Sequence, residues 1–301
     1  MDKEEIKVDD IVEFENNIKL DVKDAGKGRN IVLLHGWPLS NEQYKYQFDE
    51  LVKNGFRVIA ITFRGFGKSD KPMGDYSYDV HSDDVKKVLE KLDVRDAVLC
   101  GFSMGGAIAI RYASKDEGSR ISKLALFGAA APIWTQRDDY PFNLTIDEVN
   151  ELIKLNNNDR AQLLTNFGKI FASTETALSP EISEWLYEIG LSASPFAMEQ
   201  CLIALRDTDL REDLKKIKIP TLILQGRKDK ICSYLMAEEL VKSIEESKMV
   251  VFENSGHALF LEETEKFNIE LIRFAKPEEI QPAVMKDNET VHKSLGEENI
   301  I

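Results

Sequence analysis

The sequence predicts an α/β chain with a mostly parallel central sheet flanked by helices and one inserted helical cap. Three observations carry this. Short, continuous apolar runs, the pattern of strands buried on both faces, alternate with amphipathic helical stretches through residues 1–131. Near Pro132 the alternation stops, and residues 132–212 hold helical periodicity without a strand-like run. It then resumes as strand, helix, strand and helix up to residue 275. The implied organisation is a discontinuous core of residues 1–131 and 213–275, a cap of residues 132–212, and a tail of residues 276–301. The tail holds charges and prolines without periodicity and is expected to be a mobile or loosely docked appendage.

Residues 11–15 and 18–22 alternate apolar and polar around Asn16-Asn17, which predicts a hairpin at the sheet edge with one face wet. Residues 31–34 form a buried strand that ends in His35-Gly36-Trp37-Pro38. Residues 41–53 read as a helix and residues 58–61 as the next strand. The run Arg64-Gly65-Phe66-Gly67-Lys68-Ser69-Asp70 lacks the spacing of a phosphate-cradling loop, so nucleotide binding is rejected. It reads as a structural turn with Arg64 paired to Asp70. Residues 78–92 make an amphipathic helix with Val85, Val88, Leu89 and Leu92 near one face. His81, near its start, is expected to be exposed.

Residues 97–110 are the centre of the chain. A buried strand runs into Gly101-Phe102-Ser103-Met104-Gly105, a G-x-S-x-G match, and then into small and apolar residues that continue as a helix. A strand that turns at once into a helix leaves no room for side chains at Gly101 and Gly105, and holds Ser103 out at a strained apex. The helix directs backbone N–H groups and the positive end of its dipole at whatever Ser103 attacks. The second half of such an anion site comes from the earlier strand ending in His35-Gly36. The donors are then the backbone N–H groups of Trp37 and Met104. His35 is read as bracing that loop with its ring.

Residues 123–127 give another strand. In the cap, helices fit residues 146–155, 159–172, 182–193 and 195–206. Aromatic residues are frequent there, and the inner face is expected to line an apolar pocket over Ser103 while other rings form the cap's own core. After the cap, the strand of residues 219–225 ends in a glycine turn carrying Asp229. A helix (233–243), a strand (248–252), the segment Ser255-Gly256-His257 and a last helix (262–275) follow.

Composition narrows the partners. The net charge of −14 repels phosphate backbones, so nucleic acid is not expected. Three cysteines, Cys100, Cys201 and Cys232, are too few and of the wrong parity for a disulfide framework and fit a reducing compartment. Cys100 reads as a small core residue. Neither metal-ligand spacing nor a cofactor motif appears. The charged start Met-Asp-Lys-Glu-Glu is unlike a signal peptide, and no apolar run is long enough to span a bilayer. A cytoplasmic protein acting on a small molecule is expected.

The candidate catalytic residues are Ser103, Asp229 and His257, each placed at the C-terminal end of a strand. A serine hydroxyl is a poor nucleophile at neutral pH unless a histidine takes its proton, and a carboxylate holds that ring in the correct tautomer. Asp207, Asp209 and Asp213 are rivals to Asp229 but lie in or beside the cap. His35, His81 and His292 are rivals to His257; His35 is read as bracing its loop, and His81 and His292 do not follow a strand beside a glycine.

With these residues in view, the chain resembles the α/β-hydrolase family. Residues 5–275 resemble its branch of bacterial aryl esterases and cofactor-free haloperoxidases, or perhydrolases. The matching pieces are His35-Gly36-Trp37-Pro38-Leu39-Ser40, residues 64–70, Gly101-Phe102-Ser103-Met104-Gly105-Gly106 and Gly256-His257. The resemblance implies a triad of Ser103, Asp229 and His257, oxyanion donors at Trp37 and Met104, and no cofactor. Pro38 resembles the proline that in perhydrolase-like members favours peroxide over water as acyl acceptor. A serine nucleophile separates the chain from epoxide hydrolases and haloalkane dehalogenases, which use aspartate on this fold. The expected activity is hydrolysis of small acyl or aryl esters through an acyl-serine. A perhydrolase using the same triad, and a slow-turnover ligand receptor on a hydrolase scaffold, are the alternatives.

Overall fold

The structure is a computed structural model that describes residues 10–13, 18–115 and 120–276. Eight strands form one sheet: β1 (Asp10–Glu13), β2 (Lys19–Ala25), β3 (Asn30–Leu34), β4 (Arg57–Ile61), β5 (Ala97–Phe102), β6 (Ile121–Phe127), β7 (Thr221–Gly226) and β8 (Ser247–Phe252). Their spatial order is β1-β2-β4-β3-β5-β6-β7-β8. β1 and β2 are antiparallel, as are β2 and β4, and every later pairing is parallel. The edge pair was expected from its alternation; its turn, with Asn16 and Asn17, lies outside the described residues. Every residue of β5 and β7 is buried, as continuous apolar runs require of parallel strands covered on both faces.

Order and sequence disagree at one place. The chain passes from β3 to β4 on one side, then returns to place β5 on the other side of β3, with Leu34 opposite Gly101. The loops leaving β3 and β5 therefore diverge, and a crevice opens at their C-terminal ends.

The covering helices are α1 (Lys45–Lys53), α2 (Tyr78–Lys91), α3 (Met104–Lys115), α8 (Arg211–Leu214), α9 (Tyr234–Ser243), α10 (Leu259–Glu262) and α11 (Thr264–Ala275). Between β6 and β7 lie α4 (Ile146–Asn158), α5 (Arg160–Phe171), α6 (Pro180–Leu191) and α7 (Pro195–Asp207). Their starts are written locally. Thr145 and Glu148 form a reciprocal capping box on α4, and Ser179-Pro180 and Ser194-Pro195 pair a capping serine with proline in the first turn. Besides these helices, residues 132–212 hold only isolated bridges among the described residues, such as Ile133 with Asp209.

Four expectations need correction. The segment 41–53 is a 3₁₀ turn (Asn41–Tyr44) followed by α1, because Asn41 is pinned to the sheet by its amide donating to Asp21 Oδ2 at 3.1 Å. The last helix is broken at Glu263, where Glu262 and Glu263 turn back to bind Gly256 N and the Ser255 hydroxyl. Arg64 pairs not with Asp70 but bidentately with buried Asp84 of α2, at 2.6 and 2.7 Å. Asp70 instead accepts from Lys19 N at 2.8 Å. His81 is fully buried, not exposed, because Cys201 of α7 brings its Sγ 3.6 Å from the imidazole Nε2 and the rings of Phe63 and Tyr76 lie at 5.0 and 5.8 Å between centroids. His292 lies outside the described residues. Among those residues no helix is long and apolar enough to cross a membrane.

Candidate active site

Ser103 sits between β5 and α3 with φ +53°, a left-handed conformation that a non-glycine residue adopts only when its surroundings impose it. Those surroundings are glycines. A Cβ at Gly101 would overlap the Gly105 carbonyl, and one at Gly105 would overlap the carbonyls of Leu34 and His35. The turn is pinned by Ser103 N donating to Phe127 O at 2.9 Å, and by Gly106 N and Ala130 N donating to Ser103 O at 2.9 and 3.0 Å. Ser103 is 6 % exposed and lines a cavity.

Asp229 and His257 are brought together as expected. His257 Nδ1 donates to Asp229 Oδ2 at 2.8 Å, and both side chains are fully buried. The carboxylate is saturated: Oδ1 accepts from Ile231 N and Cys232 N at 2.8 Å each, and Oδ2 also accepts from Gln225 Nε2 at 3.2 Å. The imidazole is held between rings, with Phe102 at 4.6 Å and Phe171 at 5.7 Å between centroids. Its Nε2 is buried and has no hydrogen-bond partner among the described residues. No hydrogen bond therefore joins the Ser103 side chain to His257 among the described residues. Such a contact commonly forms only with substrate in place. Burial, and then the charge of Asp229, push the Cys232 thiol far up, so it stays protonated.

The other named residues separate cleanly. His35 braces its loop: Nε2 accepts from Phe63 N at 3.0 Å, so Nδ1 carries the proton and donates to Gly36 O at 2.9 Å. Burial lowers its pKa to about 4. The backbone N–H groups of Trp37 and Met104 are donated to no other described group. Gly36 lets the first of these loops approach, since a Cβ there would lie 3.0 Å from Ser103 Cβ. Asp207 and Asp209 are taken up by Arg206 and Arg211, and Asp213 by Ser114 and Arg111.

Over Ser103 lies a cavity of about 130 Å³ walled by Trp37, Trp134, Phe167, Leu163 and Leu202, with Ile170 at its exposed edge. The aromatic rings of residues 132–212 sort into both expected roles. Trp134 and Phe167 line the cavity, and Phe171 packs on Phe102 and His257. Tyr140 and Phe142 meet edge to face within this segment, whereas Trp185 meets Tyr46 of α1 outside it. A smaller cavity, about 40 Å³, lies behind Phe167 against Pro38. Sequence reasoning missed Gln225 and Cys232 as supports of Asp229; the signal available was that both lie within four residues of it. Among the described residues no cluster of metal-ligating side chains occurs.

Comparisons with known proteins agree with this architecture. The chain is 46 % identical over 264 residues to the AB hydrolase superfamily protein YisY of Bacillus subtilis, covering 88 % of this chain and 98 % of the relative. An esterase from Exiguobacterium antarcticum superposes with a TM-score of 0.86 at 41 % identity, covering 89 % of this chain and 99 % of its own. A bromoperoxidase from Bacillus anthracis superposes with a TM-score of 0.87 at 33 % identity, covering 89 % and 100 %. The family model described as the alpha/beta hydrolase fold matches residues 29–264, and the chain belongs to that family.

Proposed function

We propose that this protein is a serine esterase cleaving small acyl or aryl carboxylic esters. The observations that carry the reading are the buried His257–Asp229 pair, whose Nε2 is left without a partner among the described residues, and a serine held at positive φ under an apolar cavity. Ser103 Oγ attacks the ester carbonyl while His257 Nε2 takes its proton. Asp229 keeps the proton of the neutral ring on Nδ1, leaving Nε2 as the base, and stabilises the imidazolium that forms. The oxyanion is met by the N–H groups of Trp37 and Met104, each worth on the order of 3 kcal/mol in comparable sites. The carbonyl re-forms, the C–O bond to the alcohol breaks, and His257 returns the proton to the leaving oxygen. Water then repeats the sequence on the acyl-serine and releases the acid. Residues 132–212 act as the cap that shapes the acyl pocket, carried by a core of residues 1–131 and 213–275.

Turnover of short p-nitrophenyl esters tests this. The wild type is expected to show multiple turnovers with preference for short chains, and Asp229→Asn to lose roughly 10⁴-fold in kcat, as loss of the ring-orienting carboxylate does elsewhere. An Asp229→Asn enzyme within tenfold of the wild type would remove the assignment.

A second reading has its own support. Pro38 sits at the rear cavity beside the nucleophile's loop, and relatives include proteins named non-heme chloroperoxidase and bifunctional esterase/perhydrolase. Hydrogen peroxide in place of water on the acyl-serine would release a peracid, which oxidises halide. The ratio of peracid to acid formed should fall in Pro38→Leu; an unchanged ratio would dismiss this second activity.

A further inference from the structure

Apart from Ser103, the cavity presents few polar groups, and they are of one kind. Its two indole N–H groups are already used: Trp37 Nε1 donates to Met198 O at 3.2 Å and Trp134 Nε1 to Ile231 O at 3.0 Å. Asn166 accepts from Gln162 Nε2 at its Oδ1, 2.8 Å away, which leaves its amide N–H groups to be offered. Lys230, the residue after Asp229, is exposed at the cavity edge and forms no ion pair or hydrogen bond among the described residues. No aspartate or glutamate lines the cavity among those residues. An apolar cleft thus ends in unspent donors, one of them a full positive charge, on a chain whose net charge is −14. The overall field repels anions, and a local cation at the mouth offsets that for a ligand seated there.

We propose that the preferred substrates carry a carboxylate at the end remote from the ester, held by Lys230 and Asn166 while the intervening apolar chain fills the cavity. The inference rests on the esterase reading. Lys230 is a specificity determinant for the substrate's remote group and takes no part in the proton transfers.

The test compares kcat/KM for matched pairs in the wild type, Lys230→Met, Lys230→Glu and Lys230→Arg. One pair places the charge in the acyl part: the mono-p-nitrophenyl ester of glutaric acid against p-nitrophenyl pentanoate. The other places it in the alcohol part: acetoxybenzoate against phenyl acetate. In at least one pair the anionic-to-neutral ratio is expected to fall about fivefold in Lys230→Met, the upper range for an exposed ion pair, and further in Lys230→Glu. Lys230→Arg should keep the ratio, and added salt should narrow it in the wild type. Ratios in Lys230→Met equal to the wild type in both pairs would overturn the inference and leave the esterase reading standing. Failure of the wild type to turn over even the neutral esters would overturn both.

Discussion

Two buried histidines with opposite fates show how the site is assigned at the scale of single residues. His35 has both ring nitrogens engaged by backbone groups, whereas His257 Nε2 has no hydrogen-bond partner among the described residues. A general base needs an unoccupied nitrogen, so the two cannot exchange roles. His35→Leu should therefore act on stability: it leaves the Phe63 N–H buried without an acceptor, at a cost of about 1–3 kcal/mol read from denaturant unfolding. A loss of turnover with unchanged stability would contradict the bracing role. The candidate residues Ser103, His257 and Asp229 were legible in the sequence because each follows a strand-like run with a glycine within three residues. His81 and Arg64 were misread because their partners, Cys201 on α7 and Asp84 on α2, arrive through packing that no local pattern encodes. Cys232 was missed because what supports Asp229 is its backbone N–H, which no side-chain pattern marks.

Among the elements, α5 decides what the cavity can hold. Phe167 is the wall shared by the cavity over Ser103 and the smaller one against Pro38, standing edge-on to Trp37 at 5.3 Å between centroids. Phe167→Ala should join the two spaces and shift the preferred p-nitrophenyl ester toward longer acyl chains, measured as kcat/KM across a chain-length series. A profile that keeps its maximum would show that the rear cavity is no extension of the acyl site. The helical periodicity of residues 132–212 was readable, whereas the start of α6 at Ser179-Pro180, two residues before the expected 182, was not. Which rings turn toward Ser103 was not, because all four helices carry apolar residues and their faces are chosen by mutual packing. The broken helix at Glu263 was hidden likewise: its glutamates look like ordinary helix surface until Gly256 and Ser255 are placed beside them.

For the whole molecule, the sheet and the inserted helices meet over buried neutral histidines. Burial lowers His35 to about 4, and burial with the Arg64 charge lowers His81 to about 3, from an ordinary value near 6.5. A base with a depressed folded-state pKa stays neutral in the fold while the unfolded chain takes up protons. This contribution to stability is therefore intact above pH ~6.5 and is lost as pH falls toward those folded values. Between pH 7 and 5 each histidine should cost about 2 kcal/mol of unfolding free energy. Replacing His81 by phenylalanine should flatten that slope in urea unfolding, and an unaltered slope would mean that His81 is not the group responsible. The parallel order of the sheet was expected from the alternation of elements. The return of β5 to the far side of β3, which opens the crevice, was not, since strand order is set by pairing between distant segments.

The central claim, that Ser103 is acylated, is tested most directly by quenching the protein during turnover of p-nitrophenyl acetate and locating the acetyl group by peptide mass spectrometry. The expected result is an acetyl group on the peptide containing Ser103, absent from Ser103→Ala, which should also lose turnover while remaining folded. Acetylation elsewhere, or turnover that survives in Ser103→Ala, would contradict it.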